Sequence, residues 1–252
     1  METKKFFVYL LTVSTFLLQG VSGVDTDSMS VMEGDSVTIY TGVKRNQQEK
    51  IRWYFNNTNI AVITGNLSVV CTDVQCNEGS KVNKVTEKFR GRLKLDHQTG
   101  SLTIMNIRNR HSEDYALLII SDSDSDSEKI FSVSVHGVPA AERGQMRRKT
   151  VKEGESVTLD PGVRNPDDLM KWYFKDIPIA EITEDQSQTC TDDQCVERFI
   201  DRLKLDHQTG SLTITNTRNT DSGLYKLQMS SCRFRIIRSF CVCVTTRRRK
   251  IT

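Results

Sequence analysis

One stretch of thirteen residues occurs twice in this chain, and that duplication constrains the fold more than any other feature. Residues 92–104 read RLKLDHQTGSLTI, and residues 202–214 repeat them without a change. Shorter matches accompany them: EGDSVT at 33–38 against EGESVT at 153–158, and WYF at 53–55 against WYF at 172–174. Because the repeat has the size of a domain, the sequence predicts two copies of one domain in tandem.

Each copy consists of short runs in which apolar and polar residues alternate. Examples are Val37 with Ile39, Leu102 with Ile104, and the run Phe131, Val133 and Val135. A period of two is typical of strands with one buried face, and turn residues separate the runs. No segment shows the period of an amphipathic helix. We therefore predict an all-β fold of two tandem β-sandwich domains, and 252 residues suffice for two cores.

The N-terminus is typical of a secretory signal peptide. Lys4 and Lys5 precede an apolar run at 6–18, and VSG at 21–23 is a small-residue end that a signal peptidase accepts. An uncleaved signal anchor is the alternative, although the run is short for a spanning helix. We expect an extracellular protein, either secreted as given or on the external side of the plasma membrane if the chain is a truncated receptor.

The repeat also gives the expected domain boundaries. These are a signal peptide at 1–23, domain 1 at 24–136, a linker at 137–149, domain 2 at 150–246 and a basic tail at 247–252. The linker contains Pro139 and is too polar for a strand. The net charge of +3 gives no general attraction to nucleic acid, and we interpret the tail as a solvated segment.

Two motifs resemble the variable-type (V-type) immunoglobulin fold, over residues 27–246. Trp53 and Trp172 stand where strand C of such domains places its core tryptophan. DSGLY at 221–225 matches the corner before strand F, whose tyrosine, Tyr225, bonds back to the backbone. Tyr115 is its counterpart in the first copy.

The same resemblance implies a salt bridge at the bottom of domain 2, between Arg202 and Asp221. In domain 1 the corresponding residues are Arg92 and His111, and Glu113 replaces the glycine of the corner. A histidine carries a positive charge only when it is protonated. The bridge of domain 1 is therefore expected to be lost or to depend on pH.

The inter-sheet disulfide of immunoglobulin domains is missing from both copies. Its expected positions hold Thr41 and Leu117 in domain 1, and Pro161 and Leu227 in domain 2. Such a long loop would contribute roughly 4.5 kcal/mol by the chain-entropy estimate, and a bridge across five residues about 2 kcal/mol. Packing of Leu117 and Leu227 on the tryptophans is expected to supply the difference.

Lack of that disulfide is shared with the membrane-distal domains of the SLAM and lymphocyte-function-associated antigen type leukocyte adhesion receptors. The chain resembles a teleost-type member of this group within the immunoglobulin superfamily. The resemblance implies an immune-cell recognition or adhesion protein. Its partner would be another immunoglobulin-like surface protein, in a homophilic or heterophilic contact through the G-F-C-C′ face of domain 1. Tyr54 is expected on that face.

An acidic run, SDSDSDSE at 121–128, stands where the F–G loop of domain 1 is expected. Asp122, Asp124 and Asp126 are candidate partner-binding residues that would steer a basic partner, and a solvated flexible loop is the alternative. The run lacks the glycine and the ligand spacing of a calcium loop. The matching loop of domain 2 carries three arginines, which allows a head-to-tail contact: Arg233, Arg235 and Arg238.

Two pairs of cysteines share one spacing and predict local disulfides in an oxidising compartment. Cys71 with Cys76 and Cys190 with Cys195 are each five positions apart, within CTDVQC and CTDDQC. A zinc site would need these four thiolates to converge from two domains with no histidine nearby. We expect no metal.

Three further cysteines lie near the end of domain 2. Cys241 and Cys243 align with Ser132 and Ser134 of domain 1 and are expected to face solvent. A disulfide between Cys232 and Cys241, an inter-chain bridge that gives a disulfide-linked homodimer, and simple sequence divergence all remain open. A covalent oligomer or secreted soluble regulator is thus the alternative to an adhesion receptor.

Asn56 and Asn66 begin N-glycosylation sequons, which fits secretion. The four histidines have no nucleophile at a recognisable spacing, and there is no phosphate-binding loop or Gly-x-Ser-x-Gly motif. We therefore expect no enzymatic activity, no cofactor, no small-molecule substrate and no nucleic-acid partner.

Overall fold

The computed structural model describes residues 26–42, 49–71, 87–121, 126–137, 147–162, 169–191 and 193–246. Nine strands belong to domain 1: β1 (Thr26–Met32), β2 (Ser36–Ile39), β3 (Lys50–Phe55), β4 (Thr58–Thr64), β5 (Leu67–Val70), β6 (Leu93–Leu95), β7 (Leu102–Ile104), β8 (Glu113–Ile120) and β9 (Ser127–His136). Within the same described residues, nine strands and one α-helix belong to domain 2: β10 (Arg147–Lys152), β11 (Val157–Leu159), β12 (Leu169–Phe174), β13 (Ile177–Ile182), β14 (Ser187–Thr189), α1 (Asp193–Phe199), β15 (Leu203–Leu205), β16 (Leu212–Ile214), β17 (Gly223–Ser230) and β18 (Phe234–Thr245). Each domain also has a short 3₁₀ helix before its F strand, Asn109–His111 and Asn219–Asp221.

Both domains are immunoglobulin-like sandwiches. In each, the nine strands in chain order are A′, B, C, C′, C″, D, E, F and G. One sheet of domain 1 has the order β1-β9-β8-β3-β4-β5, and the other has β2-β7-β6. Domain 2 repeats this arrangement with β10 to β18. The prediction of an all-β fold with two such domains is confirmed.

The thirteen duplicated residues form strands D and E and the turn between them, and the turn holds the core tryptophan. Trp53 and Trp172 are fully buried, and each indole Nε1 donates to a turn carbonyl, Gly100 O at 2.8 Å or Gly210 O at 3.0 Å. Both glycines have φ near +72°, and a Cβ on Gly100 would lie 2.5 Å from the side chain of Ile51. The turn thus requires glycine at this position, which accounts for the presence of Gly100 and Gly210 in both copies.

The tyrosine corner is present in both domains. Tyr115 Oη donates to His111 O at 2.9 Å, and Tyr225 Oη donates to Asp221 O at 2.8 Å. Burial raises the pKa of both hydroxyls, so both remain protonated donors. Trp53 lies opposite Leu117 and Trp172 opposite Leu227 in the strand register, with all four side chains fully buried.

Below the corner, domain 2 has an ion pair where domain 1 has a neutral histidine. Arg202 binds Asp221 through two contacts, Nη1 to Oδ2 at 2.6 Å and Nη2 to Oδ1 at 3.1 Å. In domain 1, His111 Nδ1 accepts from Arg108 N at 3.0 Å, so Nε2 carries the proton that reaches Lys88 O at 2.9 Å. Burial lowers the pKa of His111 to about 4, which keeps the ring neutral at physiological pH.

The two domains are joined by a direct pairing of strands. β18, the G strand of domain 2, pairs along one edge with two strands in succession. Phe234 to Ile237 pair antiparallel with β2 of domain 1, and Phe240 to Thr245 pair parallel with β10. The B-E-D sheet of domain 1 is therefore continuous with the A′-G-F-C-C′-C″ sheet of domain 2.

A buried ion pair lies at the point where β18 leaves β2. Arg238 donates to the carboxylate of Asp35 from Nη2 at 2.6 Å and from Nε at 3.0 Å, and both side chains are completely buried. Arg147 approaches the same carboxylate at 3.3 Å, and Met32 N donates to it at 3.0 Å. Near the rim, Arg233 meets Asp27 at 3.3 Å. Two arginines of the domain 2 hairpin, Arg233 and Arg238, thus form ion pairs with domain 1 of their own chain.

Two expectations about secondary structure were wrong. β10 begins at Arg147, inside the predicted linker, because an A′ strand at a sheet edge is held by its backbone pairing and needs few apolar residues. The helix α1 was not predicted, since seven residues are too few to show a helical period. Its buried residues, Cys195 and Phe199, are one turn apart and face the core.

The disulfide between Cys190 and Cys195 is confirmed, with Cα atoms 5.1 Å apart. Cys71 is also disulfide-bonded, and its predicted partner Cys76 lies outside the described residues.

The bridge between Cys232 and Cys241 is not formed, and Cys232, Cys241 and Cys243 are free thiols. Cys232 lies in the turn that precedes β18, whereas Cys241 pairs with Leu224 far along that strand. Seven residues of strand beyond Phe234 place Cys241 roughly 23 Å from the turn, too far for a disulfide. Cys243 is exposed and Cys241 is partly exposed, as their alternation with buried neighbours predicted.

We predict that Arg238→Leu separates the two domains. The change leaves the carboxylate of Asp35 buried, with Arg147 as its remaining arginine neighbour at the edge of the contact. We expect a loss of stability of about 3 to 5 kcal/mol. Calorimetry of the chain should show the domains melting separately, with domain 1 at a lower temperature. The control Lys226→Met removes an exposed pair with Asp176, and it should change stability by less than about 1 kcal/mol. A single unchanged transition in Arg238→Leu would contradict this account.

We also predict that domain 1 is acid-sensitive because of His111. Its pKa is lower in the folded chain than in the unfolded chain, so the unfolded state binds more protons as the pH falls from 6.5 toward 4. Stability that is fully present above pH 6.5 should fall by on the order of 2 kcal/mol over this window. Hydrogen exchange of β8 peptides measures it, and His111→Asn should show a flatter pH dependence. An equal slope in both proteins would remove His111 from the explanation.

Candidate recognition face

The sheet that contains strands G, F, C and C′ of domain 1 has an outward side that no other described element covers. Alternation along each strand puts one set of side chains in the core and the next set outside. We define the outer face of domain 1 by these partly exposed outward residues of β3, β4, β8 and β9, with Glu128 fully exposed: Lys50, Arg52, Tyr54, Val62, Ala116, Leu118, Ile120, Glu128, Ile130 and Ser132.

The strand register arranges these residues in rows across the sheet. The central row is Val62, Arg52, Leu118 and Glu128, in the order C′, C, F and G. The next row has Tyr54 opposite Ala116, which is opposite Ile130. Arg52 Nη1 lies 3.5 Å from Tyr54 Oη, so the two long side chains lie next to each other. The face therefore has apolar side chains at its centre, beside a tyrosine and an arginine.

The equivalent face of domain 2 is polar and internally neutralised. Its central row is Glu181, Lys171, Gln228 and Ile237. Lys171 Nζ lies 2.9 Å from Glu181, and that hydrogen bond raises the pKa of the lysine. Lys226, which stands at the position of Ala116, pairs with Asp176 at 2.7 Å.

The two copies therefore differ most where the side chains face outward. In domain 1, Val62 stands where domain 2 has Glu181, and Leu118 stands where domain 2 has Gln228. Apolar side chains at such positions add nothing to the core, which both domains build from the same inward residues. Partly exposed apolar residues around a tyrosine and an arginine are the composition of protein-binding surfaces.

The predicted acidic loop is only partly a loop. Asp126 is exposed directly before β9, and Ser127 and Glu128 are already in that strand. Asp122 and Asp124 lie outside the described residues. The negative charges that the structure places, Asp126 and Glu128, lie at the G-strand side of the outer face.

Both predicted glycosylation sites are exposed at turns of this sheet. Asn56 is in the two-residue turn between β3 and β4, where it and Asn57 have positive φ. Asn66 is in the turn between β4 and β5. The turns lie at opposite ends of the sheet, so glycans there would flank the outer face without covering its centre.

Sequence reasoning placed Tyr54 and the hairpin at 56–64, which contains Val62, on this face but missed Leu118 and Ile130. Their signal is the comparison of outward positions between the two copies, which needs the register of each strand. Across the residues that the structure describes, no group of three or more histidine, cysteine or acidic side chains could hold a metal ion. Within the same residues, no helix is both long and apolar enough to cross a bilayer.

No protein-family model matches this chain, and no curated protein matches it in sequence. Solved structures with similar folds include the first immunoglobulin-like domain of human CD48, at 22% identity and TM-score 0.37, covering 48% of this chain and 91% of that one. The tandem immunoglobulin repeats of Dlar align at 15% identity and TM-score 0.35, covering 90% and 97%. Murine CEACAM1b aligns at 16% identity and TM-score 0.29, covering 86% and 96%.

Proposed function

We propose that this chain is an extracellular recognition protein whose domain 1 binds an immunoglobulin-like domain of another surface protein. The observation that carries the proposal is the contrast between the two outward faces. The face of domain 2 neutralises its own charges, whereas that of domain 1 presents Leu118, Ile130 and Val62 beside Tyr54 and Arg52.

The domain arrangement supports the same choice of face. The tip of domain 2, at the turn before β18, is already docked on the B strand of domain 1. Within the described chain, the outer face of domain 1 has no such strand pairing with domain 2. The disulfide between Cys190 and Cys195 fits an oxidising, extracellular location.

The proposed contact combines an apolar centre with charge at its rim. Desolvation of Leu118 and Tyr54 would provide the affinity, and the acidic residues on the G-strand side would speed encounter with a basic partner. A single contact of this size is weak, and clustering on a cell would supply avidity. The partner is a second copy of the chain or a different immunoglobulin-like protein, in immune cells, as the resemblance to leukocyte adhesion receptors implies.

We predict that Leu118→Asp abolishes partner binding. A carboxylate at the centre of the face must lose its water on binding, so affinity should fall at least about thirtyfold. The assay uses tetramers of the mature chain, residues 24–252, on a leukocyte panel and on cells that display the same chain. Asp122, Asp124 and Asp126 changed together to lysine should also reduce binding, chiefly through the association rate.

Gln228→Asp is the matched control, because residue 228 has the position of Leu118 in domain 2. It should bind as the wild type does, and equal melting temperatures would show that both variants fold. Wild-type binding by Leu118→Asp would exclude the outer face of domain 1. Equal loss in both variants would indicate a contact that does not distinguish the domains.

A covalent oligomer built through domain 2 is the second candidate, favoured by one observation. Cys232 and Cys243 are exposed free thiols in a domain that bridges Cys190 with Cys195, and Cys241, also free, is partly exposed. This alternative predicts a disulfide-linked dimer on a non-reducing gel that disappears in Cys243→Ser or Cys232→Ser. A monomer band in the wild type would exclude it.

A further inference from the structure

The contact between the two domains uses a pair of edges that each domain carries. Its donor is the first part of a G strand, Phe234 to Ile237 of β18, and its acceptor is the outer edge of a B strand, β2. Because the domains are copies of one another, domain 2 has the same acceptor edge on β11. Domain 1 carries part of the donor edge on β9, where Ser127 and Glu128 correspond to Ile236 and Ile237. Neither edge takes part in the contact within the chain.

The acceptor edge of domain 2 is uncovered. In the described part of the chain, β11 pairs with β16 alone. Thr38 and Thr158 are equivalent, and each hydroxyl lies 2.9 Å from its counterpart on strand E. Thr38 is 9% exposed because β18 covers it, whereas the equivalent Thr158 is exposed to solvent.

The residue that anchors the observed contact has an equivalent beside this edge. Glu155 stands where domain 1 has Asp35, and each carboxylate accepts a hydrogen bond from the backbone three residues earlier, at 3.3 Å from Lys152 N and 3.0 Å from Met32 N. Asp35 is completely buried under Arg238, whereas Glu155 is exposed. Domain 2 therefore presents the acidic half of the same ion pair without the basic half.

The basic half is on domain 1. β1 covers β9 only from Ile130 onward, and in the described chain Ser127 to Lys129 pair with β8 alone. Phe131 and Phe240 occupy the same position where strand A′ pairs with strand G in the two domains. Lys129 and Arg238 each lie two residues before that phenylalanine, so they are equivalent. Its Nζ now donates to Thr41 O at 3.1 Å, a contact near the surface that a flexible side chain can exchange.

We propose that a second copy of this chain docks the start of its β9 onto β11, with Lys129 opposite Glu155. Strand pairing would supply the affinity, as in other sheet-edge additions, and the ion pair would fix the register. Donor and acceptor lie on different surfaces, so the contact is heterologous and builds head-to-tail chains. In the observed contact, the rest of domain 2 continues beyond the Ser36 end of β2. By analogy, each added copy would extend the assembly in one direction.

The contact between copies is weaker than the one within the chain. Ile236 and Ile237 of β18 correspond to Ser127 and Glu128 of β9, so less apolar surface is buried. Assembly therefore depends on concentration and is favoured where copies are crowded. It uses the backbone edge at the start of β9 and not the apolar centre of the outer face around Leu118, so it does not rest on the proposed partner binding.

Sedimentation velocity of the mature chain over a range of concentrations tests the proposal. The wild type should form a ladder of non-covalent species that grows with concentration. Lys129→Glu and Glu155→Lys should each raise the dissociation constant at least about tenfold, because each places like charges together. The double variant Lys129→Glu with Glu155→Lys should recover to within about threefold of the wild type.

Glu197→Lys is the matched control, since it makes the same charge change at an exposed position of α1, away from both edges. It should associate as the wild type does. A wild type that stays monomeric at every concentration overturns the proposal. So does association that neither edge variant weakens, or oligomers that a non-reducing gel shows to be entirely disulfide-linked. Wild-type self-association by Leu118→Asp would separate this contact from partner binding through the outer face.

Discussion

The buried contact of Arg238 with Asp35 determines how the two halves of the molecule are related. Two opposite charges with no solvent exposure are stable only while they remain together, since either one alone would be an uncompensated charge. The pair lies where β18 passes from β2 to β10, so it fixes both the register of the strands between domains and the position of domain 2. That position in turn determines which strand edges are covered and which faces stay accessible.

The duplication shows which residues the fold requires and which it leaves free. The turn that binds the tryptophan indole has no room for a Cβ, and the two copies are identical there. Below the turn, the two domains satisfy the same buried site differently. Domain 2 has the ion pair of Arg202 with Asp221. In domain 1 the corresponding residues are Arg92 and His111, and the neutral ring of His111 is hydrogen-bonded at both nitrogens. On the outward sides, where no packing constrains the choice, domain 1 became apolar and domain 2 became salt-bridged.

How much of the structure can be predicted from the sequence depends on how far apart along the chain the interacting residues lie. The core tryptophans, the tyrosine corners and the bond of Arg202 to Asp221 recur within one domain pattern, so the residues alone indicate them. The sequence left the pairing of Cys232 and Cys241 open, because the distance between them depends on where the hairpin turns, and residue spacing does not give that position. Arg238 with Asp35 spans 203 positions and two domains, and no motif within either copy signals it. Only the opposite charges of the two F–G loops hinted at a contact, and they pointed to a different acidic partner.

A docking surface of charge and backbone, in place of a larger apolar one, suits a protein made of two copies of one domain. An apolar patch would bind its copy in many orientations, whereas a strand edge with one ion pair accepts a single register. The divergence of Ile236 and Ile237 to Ser127 and Glu128 then makes one of two related contacts strong and the other weak. The strong contact fixes domain 2 to domain 1 within a chain, and the proposed weak contact would be reversible. The proposed recognition function would use both properties: a rigid arrangement that holds the outer face in place and a reversible surface that responds to crowding.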